Sequence, residues 1–168
     1  MIINLSQILS GRTNKQSFDA TVEVESNQDF SLQGVMATDS IHVTGEIKKS
    51  DARIMMNCSY ETTWKFQCGR CLSDVERTIS GSLYKEIVKH EISEDEEEMD
   101  FITMKSEGIE ISEIVLNEVI LNLPLQILCS GECKGLCPSC GVNRNTDPCD
   151  CDNETIDPRL ADLKNFFQ

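Results

Sequence analysis

In the first half of the chain, apolar side chains recur at every second position. Phe18, Ala20, Val22 and Val24 alternate with Asp19, Thr21, Glu23 and Glu25, and Ile41, Val43, Gly45 and Ile47 alternate with His42, Thr44, Glu46 and Lys48. The longest run puts Ile54, Met56, Cys58, Tyr60, Trp64 and Phe66 on one parity, with Arg53, Asn57, Ser59, Glu61, Lys65 and Gln67 on the other. Successive side chains of an extended segment point to opposite faces. The pattern therefore predicts strands, or a hairpin of two, with one face in a core and the other in water, as antiparallel sheets have. Another strand is predicted from Val75 to Ile87, and turn-rich pieces such as Ser26-Asn27-Gln28-Asp29 and Lys49-Ser50-Asp51 suit a meander. Residues 1–12 are mildly apolar and predict no particular element.

The period changes further on. Residues 91–110 break the alternation, and Glu94-Asp95-Glu96-Glu97-Glu98 is a block of like charge that belongs in solvent. From Ile111 to Leu123 the spacing predicts a helix: Ile111, Val115 and Val119 share a stripe, with Leu116, Ile120 and Leu123 beside it. Ser112 is a candidate cap and Pro124 marks the end. In the tail, Asp157 and Pro158 suit the N-cap and first position of a short helix, with Leu160, Leu163 and Phe167 on one face. The predicted fold is α+β and β-dominated: an antiparallel meander sheet, one main helix and a C-terminal cysteine-rich, zinc-ribbon-like module. The expected division is a sheet-plus-helix domain at 1–128, with an acidic loop at 91–110, and a cysteine module at 129–168 carrying the C-terminal helix.

Composition narrows the function. The chain has 168 residues, 39% hydrophobic, with a single tryptophan. A core of that size gains from a metal staple. The net charge is −14, and it is uneven: residues 91–128 carry eleven acids and one base, Lys105. Such a field repels bare nucleic acid and attracts basic proteins, so DNA is not an expected partner. The start of the chain lacks the basic and long apolar regions of a signal peptide. No apolar run approaches the roughly 20 residues that span a bilayer. A cytoplasmic protein without a membrane segment is expected.

Eight of the nine cysteines form four close pairs: Cys68/Cys71, Cys129/Cys133, Cys137/Cys140 and Cys149/Cys151. Two are C-x-x-C turns, whose spacing lets two thiolates face one ion. Zinc takes four ligands in a tetrahedron, so four pairs suffice for two closed, structural sites. Cys137/Cys140 with Cys149/Cys151 could close one ribbon-like site, in which case Cys68/Cys71 would take Cys129/Cys133; spacing alone leaves other pairings open. Cys58 shares the parity of Trp64 and Phe66 and reads as a small core residue. A disulfide framework fits an odd cysteine count and a reducing compartment less well. The Cys133-Cys137-Cys140 spacing also occurs in enzymes holding an iron–sulfur cluster, but those carry it near the front of a long α/β barrel, unlike this chain. The competing reading of the C-x-x-C pairs is a thiol redox or metal-handling protein. No catalytic constellation is visible: His42 falls on the polar face of a strand, His90 stands in Lys89-His90-Glu91, and neither has a recognisable partner.

Taken together, the residues resemble a known family. Cys68-Gly69-Arg70-Cys71-Leu72 ends a strand, and a helix closes in Leu123-Pro124-Leu125. Then follow Gly135-Leu136-Cys137-Pro138-Ser139-Cys140-Gly141-Val142-Asn143, Cys149-Asp150-Cys151 and Asp157-Pro158-Arg159-Leu160-Ala161. This is similar to the YceD-like family, the large ribosomal RNA subunit accumulation proteins. The resemblance implies a non-enzymatic role in large ribosomal subunit biogenesis, in accumulation or processing of its RNA. The implied partners are a basic ribosomal protein, large-subunit ribosomal RNA or a pre-ribosome. Glu96, Glu97 and Glu98 are the candidate grip for a basic protein, and Arg70 and Arg77, with Lys65 and Lys85, the candidate contacts for RNA. Two structural zinc ions are the expected cofactors.

Overall fold

The computed structural model of the protein describes residues 1–24, 34–89 and 101–151. His90, the block at 94–98 with Glu96, Glu97 and Glu98, and the helix expected from Asp157 lie outside the described residues. In chain order the elements are β1 (Ile2–Asn4), α1 (Ser6–Leu9), β2 (Lys15–Val22), β3 (Val35–Ala37), β4 (Ile41–Ser50), β5 (Arg53–Gln67), β6 (Asp74–Val88), β7 (Phe101–Thr103), β8 (Gly108–Glu110) and α2 (Ser112–Leu121). They fall into two compact units, one of residues 1–66 and 76–125, the other of residues 67–75 and 126–168.

In the first unit the alternation becomes a sheet of order β2-β4-β5-β6-β7, with β3 also paired to β5. The run from Ile54 to Phe66 is not two strands but one, β5, of 15 residues. Its apolar parity is buried throughout, Met56 and Trp64 completely. Thr62 lies on that parity too, and its hydroxyl donates to the Ser40 carbonyl at 3.0 Å, which meets the cost of burying a polar group there. β4 turns into β5 through Asp51 and Ala52, with Asp51 at φ 53°. β2, β3 and β4 all pair antiparallel.

The expected antiparallel meander is corrected at one edge: β7 runs parallel to β6, pairing Glu86 with Phe101 and Val88 with Thr103. A parallel neighbour needs a connection of about a dozen residues to bring the chain back, and Lys89–Asp100 has that length. The acidic loop expected over 91–110 is also too long. Ile102 and Ile109 are buried and turn residues 101–110 into two short strands around Lys105–Gly108.

The N-terminal residues, uninformative as a pattern, complete the packing. β1 pairs antiparallel with β8, setting Ile3 opposite Ile109, and Leu5 and Ile8 are fully buried. α2 buries Val115, Leu116 and Val119. Burial stabilises each by about 1.5–3 kcal/mol, without which a helix this short is marginal in water. Ser112 does not cap the helix. Ile111 occupies the cap position without a side-chain bond, and the Ser112 N–H donates to Glu110 Oε1 at 3.2 Å. Asn122 closes the other end, Nδ2 donating to the Glu118 carbonyl at 2.9 Å, with Pro124 just beyond.

Tyr60 connects helix to sheet. It is 2% exposed, its hydroxyl is 3.4 Å from the Glu118 carbonyl, and its ring lies over Gly81. A Cβ at Gly81 would stand 2.4 Å from the Tyr60 hydroxyl oxygen. A ring held between helix and sheet cannot swing clear, so Gly81→Val should cost about 1–3 kcal/mol of unfolding free energy in denaturant titration. An unchanged midpoint would mean that the ring has room to move.

Candidate metal centres

The tip of the β5–β6 hairpin carries the first C-x-x-C turn. The Cys68 N–H donates to the Ser73 carbonyl at 2.9 Å and the Leu72 N–H to the Cys68 carbonyl at 3.0 Å. The second turn repeats this closure: Cys137 N–H to the Val142 carbonyl at 2.8 Å, and Gly141 N–H to the Cys137 carbonyl at 2.8 Å. In both turns the residue after the second cysteine is left-handed, Leu72 at φ 59° and Gly141 at φ 76°. Glycine accepts that conformation freely, whereas leucine is held in it.

Eight cysteines converge in two groups of four. Cys68, Cys71, Cys129 and Cys133 form centre 1, and Cys137, Cys140, Cys149 and Cys151 form centre 2; within each group all sulfurs lie within 4.8 Å of one another. All nine cysteines are free thiols. In centre 1, Cys68 Sγ is 3.8 Å from Cys133 Sγ, and Cys71 Sγ is 3.5 Å from Cys129 Sγ. Zinc–thiolate bonds of about 2.3 Å in a tetrahedron place the sulfurs roughly 3.8 Å apart. The donor set therefore fits a four-coordinate, thiolate-preferring ion such as zinc, with no position left for substrate.

The electrostatics point the same way. Burial raises the Cys68 thiol, but N–H groups of Arg70, Cys71 and Cys129 turned towards the sulfur outweigh it and bring it down to about 6. Cys137 is also lowered to about 6, by the N–H groups of Cys140 and Ser139. Their neighbours move the opposite way. Cys129 is pushed up to about 12 by its bonds with the Cys133 and Cys71 sulfurs, and Cys151 to about 12 by those with Cys140 and Cys137. Each cluster accommodates a first thiolate and resists further ones until a cation shares the charge. Cys58 stands apart on β5, where burial pushes its thiol up to about 11, as suits an inert core residue.

The other expected site residues are more scattered. Arg70 is exposed, and its guanidinium donates to the Cys133 carbonyl at 3.1 Å. Lys65 pairs with Glu76 at 3.4 Å on the outer face of the sheet. Arg77 and Lys85 instead share the parity of Val75, Ile79 and Leu83 on β6. His42 is exposed, 3.6 Å from the Asp19 carboxylate. Ser73, Asn143 and Asn145, whose side chains reach the sulfurs of centre 1 or their neighbours, carried no sequence signal beyond lying beside or between cysteine pairs. Among the described residues, no helix is long and apolar enough to cross a membrane.

Against known proteins, the sequence model of the family described as large ribosomal RNA subunit accumulation protein YceD matches residues 56–167. Uncharacterized protein YlbN of Bacillus subtilis is 26% identical over 156 residues, covering 92% of this chain and 90% of that protein. Uncharacterized protein Rv2926c of Mycobacterium tuberculosis is 34% identical over 99 residues, 58% of this chain and 47% of the relative. The chloroplastic YCED homolog 1 of Arabidopsis thaliana, described as a large ribosomal RNA subunit accumulation protein, is 37% identical over 58 residues, 34% of this chain and 18% of that protein. The matched part of the chain thus spans about half the length of the mycobacterial relative. No solved structure matches.

Two outcomes are expected. Cys68→Ser and Cys129→Ser should lose the same metal ion and Cys140→Ser a different one, read by elemental analysis of each purified variant. Each single variant should therefore keep one ion; the double variant Cys68→Ser/Cys129→Ser should keep one as well and Cys68→Ser/Cys140→Ser none, and equal metal content in the two double variants would exclude separate centres. Because the ligands bind as thiolates, affinity should fall as protons compete, most steeply as the pH drops below about 6, where Cys68 and Cys137 would protonate. Chelator competition between about pH 5 and pH 8 measures this, and a flat profile would rule out thiolate ligation.

Proposed function

Because the chain belongs to the YceD family, described as large ribosomal RNA subunit accumulation proteins, we propose that it is a non-enzymatic factor supporting accumulation or processing of large-subunit ribosomal RNA. The observation that carries this reading is the reach of the family match, from within β5 across every cysteine of both centres. In this reading two zinc ions hold the cysteine unit together and take no part in chemistry. All four positions of each centre are filled by thiolates, and a catalytic zinc keeps one position open.

The partner is a basic ribosomal protein before it is RNA. A chain of net charge −14 meets a phosphate backbone at a disadvantage, and its acids are concentrated in 91–128. Glu96, Glu97 and Glu98 supply the grip for the basic protein, while Arg70 and Arg77 are the secondary contacts for RNA. The lowered thiols of Cys68 and Cys137 also suit the competing reading, a redox dithiol. Gathering four sulfurs in each group favours the metal.

The test is a strain lacking the gene, complemented with the full chain, with a version lacking residues 94–98, or with Cys68→Ser. Loss of mature large-subunit RNA without the gene, restored by the full chain and at least several-fold less by the 94–98 deletion, is the expected result. Unchanged RNA in the deletion strain removes the proposed role; full rescue by the 94–98 deletion removes the acidic grip alone. Co-purification of a thiol reductase in place of ribosomal components would favour the redox reading.

A further inference from the structure

The stretch between the two cysteine pairs of centre 2 sends two asparagine side chains towards centre 1. Asn145 Oδ1 accepts the Lys134 backbone N–H at 2.8 Å, and this fixes which end of the amide is which. Its Nδ2 then faces the Cys133 sulfur, a centre 1 ligand, at 3.3 Å. Asn143 is oriented in the same manner. Its Oδ1 accepts the Asn145 backbone N–H at 3.0 Å, leaving Nδ2 to donate to Ser73 Oγ at 3.2 Å. Ser73 Oγ is in turn 3.3 Å from Cys71 Sγ, another centre 1 ligand. With its oxygen accepting from Asn143, the serine hydroxyl is left to donate to that sulfur once it is a thiolate.

The backbone reinforces the connection. The Leu136 N–H donates to the Arg70 carbonyl at 3.0 Å, and the Arg144 N–H to the Gly135 carbonyl at 3.0 Å. Gly135 is left-handed at φ 72°, and a Cβ there would stand 3.1 Å from the Arg70 carbonyl oxygen. Residues 143–145 also lie between the ligand pairs of centre 2, Cys137/Cys140 and Cys149/Cys151, whose sulfurs gather at a single point.

We propose that the two metal centres fill cooperatively, with Asn145 and Asn143 as the positioning residues through which an occupied centre 2 tightens metal binding at centre 1. The inference rests on the metal reading of both clusters. N–H and O–H donors aimed at a metal thiolate spread its charge and fix its orientation. Losing such an outer partner typically costs 10–100-fold in affinity. When centre 2 is empty its cysteines no longer hold the 141–148 stretch, both asparagines lose their aim, and centre 1 loses donors without losing a ligand. Linkage makes the effect reciprocal: whatever factor centre 2 contributes to centre 1, centre 1 contributes to centre 2.

The test is titration of the reduced full chain with cobalt(II) and with zinc against a chromogenic chelator. Cobalt thiolate absorption shows whether each site is tetrahedral and sulfur-bound. The variants are Asn145→Ala, Asn145→Asp and Cys140→Ser. Asn145→Ala should still bind two ions with wild-type tetrahedral spectra, one of them about 10–100-fold more weakly. Asn145→Asp, which keeps the acceptor for Lys134 but puts a carboxylate beside the sulfur, should be weaker again. Cys140→Ser should retain one ion at the reduced affinity of centre 1. Retention of the second, unaffected ion in Asn145→Ala shows that the variant is folded. Wild-type affinity at both sites in Asn145→Ala, or at centre 1 in Cys140→Ser, overturns the coupling while the metal reading stands. A wild-type chain that takes up no metal overturns both.

Discussion

Four thiolates would not share a few ångströms of space without a cation, and the described residues of the unit of residues 67–75 and 126–168 bury little besides cysteine. Among its described residues, the buried side chains other than cysteine are Val75 and Ile127. Two aliphatic side chains contribute a few kcal/mol, whereas ordering each residue costs about 1–2 kcal/mol of backbone entropy. Burial falls far short of offsetting that. A structural zinc ion contributes on the order of 10 kcal/mol of apparent binding free energy in small peptides. In the proposed metal-bound state, the requirement that sulfur be neutralised would thus also be what fixes the fold of the described part of this unit. The division into two units follows, because the first, with Trp64, Tyr60 and α2, has a core of its own.

The two turns use one backbone solution for opposite side-chain reasons. Each points N–H groups at the first cysteine of its pair, which is why Cys68 and Cys137 are the sulfurs most ready to ionise. Gly141 adopts the left-handed position without cost. Leu72 adopts it although it is a leucine and 54% exposed, so burial of its side chain does not explain its presence. The Cys68–Ser73 and Leu72–Cys68 hydrogen bonds and the converging ligands over-determine the turn enough to carry that strain.

What could be read from the sequence was whatever depended on one period or one spacing. Alternation from Ile54 to Phe66 meant extended chain with one buried face, as one strand or a hairpin of two, and each C-x-x-C turn brings two sulfurs together. The three-residue strands β1, β3, β7 and β8 are too short to show a period. They exist because tertiary partners complete them, as Ile109 does for Ile3. The parallel return of β7 has no local signature, since its direction depends on the length of the connection before it. Ser112 failed as a cap because the chain enters α2 straight from β8, with Ile111 needed in the core. The pairing of Cys68/Cys71 with Cys129/Cys133 was one option among several, because ligands about sixty residues apart leave no mark in spacing.

The asparagines show why a metal centre is more than its ligands. Asn143 and Asn145 occupy a stretch that looks like spacer between two cysteine pairs, and asparagine in a turn ordinarily bonds its own backbone. Asn143 does so: its carbonyl accepts the Asp147 N–H at 2.9 Å, and its Oδ1 the Asn145 N–H. The bond from the Asn145 N–H settles which way the Asn143 amide points, and the Lys134 N–H does the same for Asn145, whose Nδ2 donates both to Asn143 Oδ1 at 2.8 Å and towards the Cys133 sulfur. In the proposed coupling, a bond that looks local in sequence would in this way carry information between the two centres. The spacer is then a shared wall, and its length and its two amides are constrained by centre 1 as much as by the cysteines on either side of it.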